Sequence, residues 1–311
     1  MKKILITGAA GYIGSMLCTK LLDLGYQVTA VDILKYDKNS LAHLFQNKNF
    51  NFIFGDIRKE KFVKKIIKGQ DFIFPLAALV GAPLCEKFKK NAKITNVNSI
   101  KILTKHLKKK QRIIYPTTNS GYGIGEKNKY CDETSPLRPV SLYGRTKLEA
   151  ETIVLNHKNS VCFRLATVFG YSYRMRTDLL VNNFVEKAVN TSKLDLFEPH
   201  FRRNYVHIKD VIQSFIFAIK NFKLLKNNVY NLGLSSANLT KFMLAKKIKK
   251  KLPKLKIRII KNQSDPDKRD YFVSNKKIEK AGFKAKFTIE EGINELVQIF
   301  KYTDIKFINN Y

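Results

Sequence analysis

Acidic residues are scarce in this chain: 25 Asp and Glu stand against 58 Lys and Arg in 311 residues, a formal charge of +33. Such an excess raises nucleic acid or an anionic membrane surface as a partner. Clustering is what the sequence lacks. The basic residues are mostly Lys and are spread along the whole chain, whereas recognition of phosphates and bases concentrates Arg and Lys on one surface. The runs Lys108 to Lys110 and Lys246 to Lys251 fall on polar faces or ends of expected helices, where solvent accounts for them. Neither nucleic acid nor a membrane is expected as a partner. Cysteine is also sparse. Cys18, Cys85, Cys131 and Cys162 lie far apart, offer no metal-ligand pair and fit a reducing compartment. No uninterrupted apolar stretch is long enough to cross a bilayer, and the N-terminus runs straight into a strand without the pattern of an export signal. The expectation is a soluble cytoplasmic protein that needs no metal. Its 44% of hydrophobic residues can fill one large domain, or one domain and a smaller one.

What is present is organised around Lys3 to Gly14, an apolar run that breaks into three glycines spaced three residues apart. A uniformly apolar Ile4 to Ile6 fits a parallel strand covered on both faces. Gly8 and Gly11 allow a tight turn that approaches a diphosphate, with Tyr12 and Ile13 inside the turn, and Gly14 lets the following helix pack close. The anion would sit at that helix's N-terminus, where amides and dipole favour negative charge. Tyr26 to Val31 reads as the second strand, ending at Asp32, whose carboxylate suits both ribose hydroxyls of NAD and repels the extra phosphate of NADP. NAD is therefore expected, with Lys35 the one nearby argument for NADP.

Further strands are expected at Phe50 to Phe54, Asp71 to Pro75, Arg112 to Tyr115, Ser160 to Leu165 and Val229 to Leu232. Helices are expected at Leu41 to Phe45, Glu60 to Lys68, Ile94 to Lys109, Tyr143 to Leu155 and Tyr205 to Phe222. This alternation predicts an α/β fold, a Rossmann-type doubly wound parallel sheet with a smaller C-terminal α/β substrate domain. Residues 1–170 form the cofactor domain, rejoined by 205–232, and 171–311 mainly hold the substrate. Ligands then sit beyond the carboxyl ends of the strands. Asp56 and Ile57 are placed to contact an adenine, although Asp56 in a turn that caps the next helix is nearly as good a reading. The small residues of Leu76, Ala77 and Ala78 let backbone pass close to the cofactor.

Tyr143 and Lys147 are four residues apart, so on a helix both emerge on one face. A free tyrosine is a poor base near neutral pH, but a neighbouring ammonium and a cationic nicotinamide favour its phenolate. Together Gly8, Gly11 and Gly14, Asp32, the Thr118 segment and Tyr143-x-x-x-Lys147 resemble the extended short-chain dehydrogenase/reductases, in their nucleotide-sugar epimerase and dehydratase branch. The resemblance implies that Tyr143 is the catalytic base, that Lys147 orients the nicotinamide ribose and that Thr118, 25 residues before Tyr143, holds the substrate hydroxyl. It further implies substrate contacts from Asn182 and Asn183, from Arg203 in a segment matching Arg-Asp-Tyr-x-His-Val-x-Asp-Val, and from Arg269 with Asp270 in Asp265 to Asp270. Thr167 stands where the family pattern has asparagine, and His207 reads as a structural histidine between strand and helix. A homodimer through the helices near Ile94 to Lys109 and Tyr143 to Leu155 is implied as well.

After its threonine the chain has Asn119-Ser120 where sugar 4,6-dehydratases carry Asp-Glu. Neither side chain exchanges a proton near neutral pH, so both are read as substrate-binding and dehydration is disfavoured. What remains is redox chemistry at C4, as a 4-oxidase or a 4-epimerase. The loops Leu76 to Cys85, Thr118 to Glu126, Phe201 to Tyr205 and Asp265 to Asp270, with Arg174 and Arg176 as substrate contacts, resemble the GDP-mannoheptose 4-oxidases of bacterial surface-polysaccharide pathways. A GDP- or UDP-linked sugar is the expected partner. A sensor that only binds NAD is the non-enzymatic alternative.

Overall fold

The computed structural model describes residues 1–126, 129–261, 269–303, 305 and 310. Its strands in chain order are β1 (Lys3–Thr7), β2 (Gln27–Asp32), β3 (Phe50–Phe54), β4 (Phe72–Pro75), β5 (Arg112–Thr118), β6 (Tyr130–Cys131), β7 (Ser160–Leu165), β8 (Thr167–Phe169), β9 (Lys193–Leu196), β10 (Arg202–His207), β11 (Asn228–Leu232), β12 (Asn238–Thr240), β13 (Lys256–Ile259) and β14 (Phe272–Val273). Seven of them form one sheet in the order β11-β7-β5-β4-β1-β2-β3, every neighbouring pair parallel. The order reverses between β1 and β4, and a crevice opens there beyond the carboxyl ends of the strands.

The apolar strands follow from burial on both faces. Ile4 and Ile6 pack with Phe72, Phe74 and residues of the Tyr12–Asp23 and Ile208–Lys220 helices. Leu5, pointing the other way, packs with Ile73 and Ile113 and with the Glu60–Ile66, Ser99–His106 and Leu142–Leu155 helices. A second apolar cluster gathers Val181, Phe184, Leu239, Leu244, Ile293 and Leu296 around the sheet β12-β10-β8, and Tyr12 from the glycine turn is buried in it.

Two expectations are corrected. Tyr205 to His207 extend a strand, pairing with Thr167 to Phe169, and the helix begins only at Ile208. The long helix begins earlier than Ile94, at Lys89; its first turn buries only Ala92, so no apolar period announces it in the sequence. It then winds through a π turn at Ile94–Asn98 and continues to His106. The short strands β6, β8 to β10 and β12 to β14 went unread because two to six mixed residues carry no pattern of their own.

Beneath the Leu142–Leu155 helix lies a buried ion pair, Arg164 Nη2 to Glu151 Oε1 at 2.7 Å, each side chain 5% exposed. Arg164 also donates to Tyr122 Oη at 3.1 Å, and Tyr122 donates to Asn231 of β11 at 2.7 Å. Removing one partner strands a charge in the core, so Arg164→Met is expected to cost about 3–5 kcal/mol in urea unfolding. The Arg164→Met/Glu151→Leu double variant should recover most of that loss, and one no better than the single variant would refute the assignment.

Candidate active site

A cavity of about 620 Å³ opens at the switch point between β1 and β4. One end is made by the glycine turn. Gly8 adopts φ +71°, and a Cβ there would lie 2.6 Å from the Ala77 amide nitrogen, so no other residue lets the two backbones meet. The Tyr12–Asp23 helix starts at Gly11 with no side-chain cap, leaving its first amides for a ligand. Asp32 accepts from the Ala10 amide at 3.0 Å and the Leu34 amide at 2.8 Å. Burial raises its pKa, and those amides and the Arg174 charge pull it back down. Ile13, Asp56, Ile57, Leu76, Ala77 and Ala78 line the same end. Asp56 is held by Arg58 at 2.6 Å and does not cap the next helix, whose N-cap is Lys59.

Thr118, Tyr143 and Lys147 all line this cavity. Lys147 is buried and donates to Tyr115 Oη at 2.7 Å; burial lowers its pKa to about 7. The Tyr143 phenol is pushed up to about 12, chiefly by burial, while the charges of Arg176 and Arg269 and a hydrogen bond with Thr118 act to lower it. A run of hydrogen bonds joins these groups, from Arg269 to Ser120 and from Ser120 to Thr118 at 2.8 Å. Arg203, buried, Arg269 and Asn183 also line the cavity. Arg176 pairs with Asp178 at 3.0 Å.

Residues 4–233 match the NAD dependent epimerase/dehydratase family. The chain belongs to that family. It is 26% identical over 314 residues to UDP-glucuronic acid decarboxylase 1 of Arabidopsis thaliana, covering 96% of this chain and 70% of that protein. It is 24% identical over 332 residues to the dTDP-D-glucose 4,6-dehydratase of Bos taurus, covering 96% and 89%. The crystal structure of UDP-glucuronic acid 4-epimerase from Bacillus cereus, in complex with UDP-glucuronic acid and NAD, superposes with a TM-score of 0.85 at 26% identity, covering 96% and 99%.

Within this epimerase/dehydratase frame, several expected contacts move. Asn182 does not face the cavity: it accepts from the Gly170 amide at 3.0 Å and donates to Arg176 O at 2.8 Å, so Asn183 alone of the pair lines it. Asn119 is likewise turned inward, 1% exposed, and only Ser120 of the Asn119-Ser120 pair reaches the cavity. Asp270 is taken up by Arg202 at 2.8 Å, so it does not pair with Arg269 as a clamp; Asp265 to Lys268 lie outside the described residues. Arg174 sits near Asp32, 5.0 Å over the Tyr36 ring. His207 is structural as expected, capping the Ile208–Lys220 helix and meeting Glu295 at 2.8 Å.

One residue went unnoticed. Asn96, buried on the π turn, accepts from the Leu79 amide at 2.8 Å and donates to Leu79 O at 2.9 Å and Thr146 Oγ1 at 3.1 Å. It ties the loop after β4 to the helix of Tyr143 and Lys147. The signal was weak, since Asn91 and Asn98 stand in the same polar stretch.

The lowered lysine has a measurable sign. Between pH about 7 and the ordinary 10.5, the unfolded chain holds more protons at Lys147 than the folded chain, so stability rises with pH there. Lys147→Met lacks this dependence. Its Tm minus that of the native chain is expected to fall as pH rises through this window, and a constant difference would show an unshifted amine.

Proposed function

We propose that this chain oxidises C4 of a nucleotide-diphosphate sugar, and that the sugar is GDP-mannoheptose-like. Family membership makes it an NAD-dependent enzyme of the nucleotide-sugar epimerase and dehydratase class. The glycine turn against Ala77, the uncapped helix start and Asp32 fit that cofactor. When bound, NAD would supply the two-electron acceptor and a positive charge.

The observation that carries the reading is the convergence of Thr118, Tyr143 and Lys147 on one cavity, between the glycine turn and the arginines. In this reading Thr118 Oγ1 holds the C4 hydroxyl and Tyr143 Oη takes its proton. Lys147 turns from Tyr115 toward the cofactor ribose, and its charge, with Arg176 and Arg269, favours the phenolate. Arg203 and Arg269 grip the sugar nucleotide's diphosphate, a task suited to planar guanidinium groups. Residues 1–170 and 205–232 hold the cofactor and 171–311 mainly the substrate, in a homodimer built on the outer helices.

Elimination of water is disfavoured by the carboxylates. Of the four lining the cavity among the described residues, Asp56 pairs with Arg58, Asp178 with Arg176, and Asp32 and Asp37 accept backbone amides. None stands next to Thr118 as an acid or base. The resemblance of the Leu76 to Cys85, Thr118 to Glu126, Phe201 to Tyr205 and Asp265 to Asp270 sequences to GDP-mannoheptose 4-oxidases is what favours oxidation in this reading. Likeness to the UDP-glucuronic acid 4-epimerase supports a second reading, in which the 4-keto sugar is reduced on its other face.

The test incubates the protein with NAD and, separately, GDP-mannoheptose, GDP-mannose, UDP-glucose and UDP-N-acetylglucosamine, following NADH absorbance and the products by NMR. NADH with a 4-keto sugar is expected; a C4-inverted sugar without net NADH would establish the epimerase, and silence with all four would remove this substrate class. Tyr143→Phe should lower kcat by about 10²- to 10⁴-fold while NAD binding holds. Unchanged turnover in that variant would reduce the chain to an NAD-binding protein.

A further inference from the structure

The loop that follows β8 crosses over the start of the glycine-turn helix and is fastened on every side. Tyr12 Oη donates to Gly170 O at 2.6 Å, and Ser172 Oγ donates to Tyr12 O at 2.6 Å and lies 3.1 Å from Ser15 Oγ. The Tyr171 amide donates to Glu295 at 3.1 Å, and Tyr173 stacks on His43 with ring centroids 4.0 Å apart. These ties fix the backbone leading up to Arg174, and Asn182, donating to Arg176 O at 2.8 Å, holds it just beyond.

Arg174 itself is 2% exposed, yet its Nε and Nη2 have no hydrogen-bond partner. A buried guanidinium without an anion is costly, and burial together with the neighbouring Arg176 charge lowers its pKa. The nearby acids are committed elsewhere. Asp178 pairs with Arg176, Asp37 accepts the Asn39 amide at 2.7 Å, and Asp32 accepts two amides. The side chain lines the cavity at its Asp32 and Tyr36 end, beside the uncapped start of the Tyr12–Asp23 helix.

We propose that Arg174, carried on the loop after β8, is a cofactor ligand whose missing partner is the diphosphate of NAD, so that one arginine of the substrate-side segment clamps the dinucleotide onto the glycine turn. This rests on the NAD-dependent reading above. The helix start contributes amides and a partial charge, and Arg174 contributes a full charge from a loop tied to that helix start. It replaces the reading of Arg174 as a sugar-nucleotide contact, a task left to Arg203 and Arg269.

The experiment titrates NAD, NADP, ADP, adenosine, GDP and UDP into the native chain and into Arg174→Met by calorimetry, with melting curves of both proteins alone and with NAD. Native NAD binding tests the cofactor reading, and its absence would overturn both readings together. The expected result is roughly tenfold to hundredfold weaker binding of NAD and ADP in the variant, with adenosine, GDP and UDP unchanged. Without nucleotide, Arg174→Met should melt at or above the native chain, because an unpaired buried charge has gone, and NAD should stabilise it less. Equal NAD affinity in the two proteins, loss confined to GDP or UDP, loss confined to NADP, or an unliganded variant that melts well below the native chain would each overturn the proposal.

Discussion

Two backbones meet without side chains between them where β1 ends against the loop after β4, and everything at the site takes its position from that approach. Gly8 in a left-handed conformation lies against Ala77, and its amide donates to Val31 O at 2.9 Å. The contact brings the ends of β1, β2 and β4 to one point, so the helix start, Asp32 and the Leu76 to Val80 loop face a single cavity. Any side chain at Gly8 would push β4 and its loop away, and with them the far wall.

The helix that carries Tyr143 and Lys147 is tied to the same point indirectly. Asn96 holds Leu79 and Thr146 at once, so the residue next to Lys147 and the loop next to Gly8 belong to one hydrogen-bonded unit. From the other side, Arg269 reaches Ser120, Ser120 reaches Thr118, and Thr118 acts on Tyr143. The proposed grip on the substrate's diphosphate is thereby linked to the proposed base. Within the core, burial sets the electrostatics: it raises the phenol of Tyr143 and lowers the amine of Lys147, so neither charged form is favoured without further positive or negative partners.

Much of this was legible in the sequence because the signals were long or chemically narrow. Ile4 to Ile6 and the other sheet strands are apolar runs between turns, and a glycine triplet before Asp32 admits few structures. Tyr143 and Lys147 share a helix face by spacing alone. What was not legible depends on phase and on distant partners. Asn182 and Asn183 are adjacent and alike, and only the turn of their helix sends one to Gly170 and the other to the cavity. The same holds for Asn119 and Ser120. Arg174 reads as a substrate contact from the resemblance of its segment, whereas its neighbour is Tyr36, far away in the chain. Strand β14 pairs with β6, so neither two-residue strand could be read without the other.

The π turn at Ile94–Asn98 also fixes a length. A π turn winds one residue more than an α-helix accommodates. Removing one residue ahead of Asn96 would leave a regular helix with its apolar stripe intact to the eye, but would swing the asparagine by about 100° around the axis. The amide would then face the sheet or the solvent, and the loop after β4 would lose its anchor. Insertions and deletions in this helix are therefore filtered by a contact in another part of the molecule, while the same changes in the exposed turn at Asp23 to Gly25 meet nothing comparable.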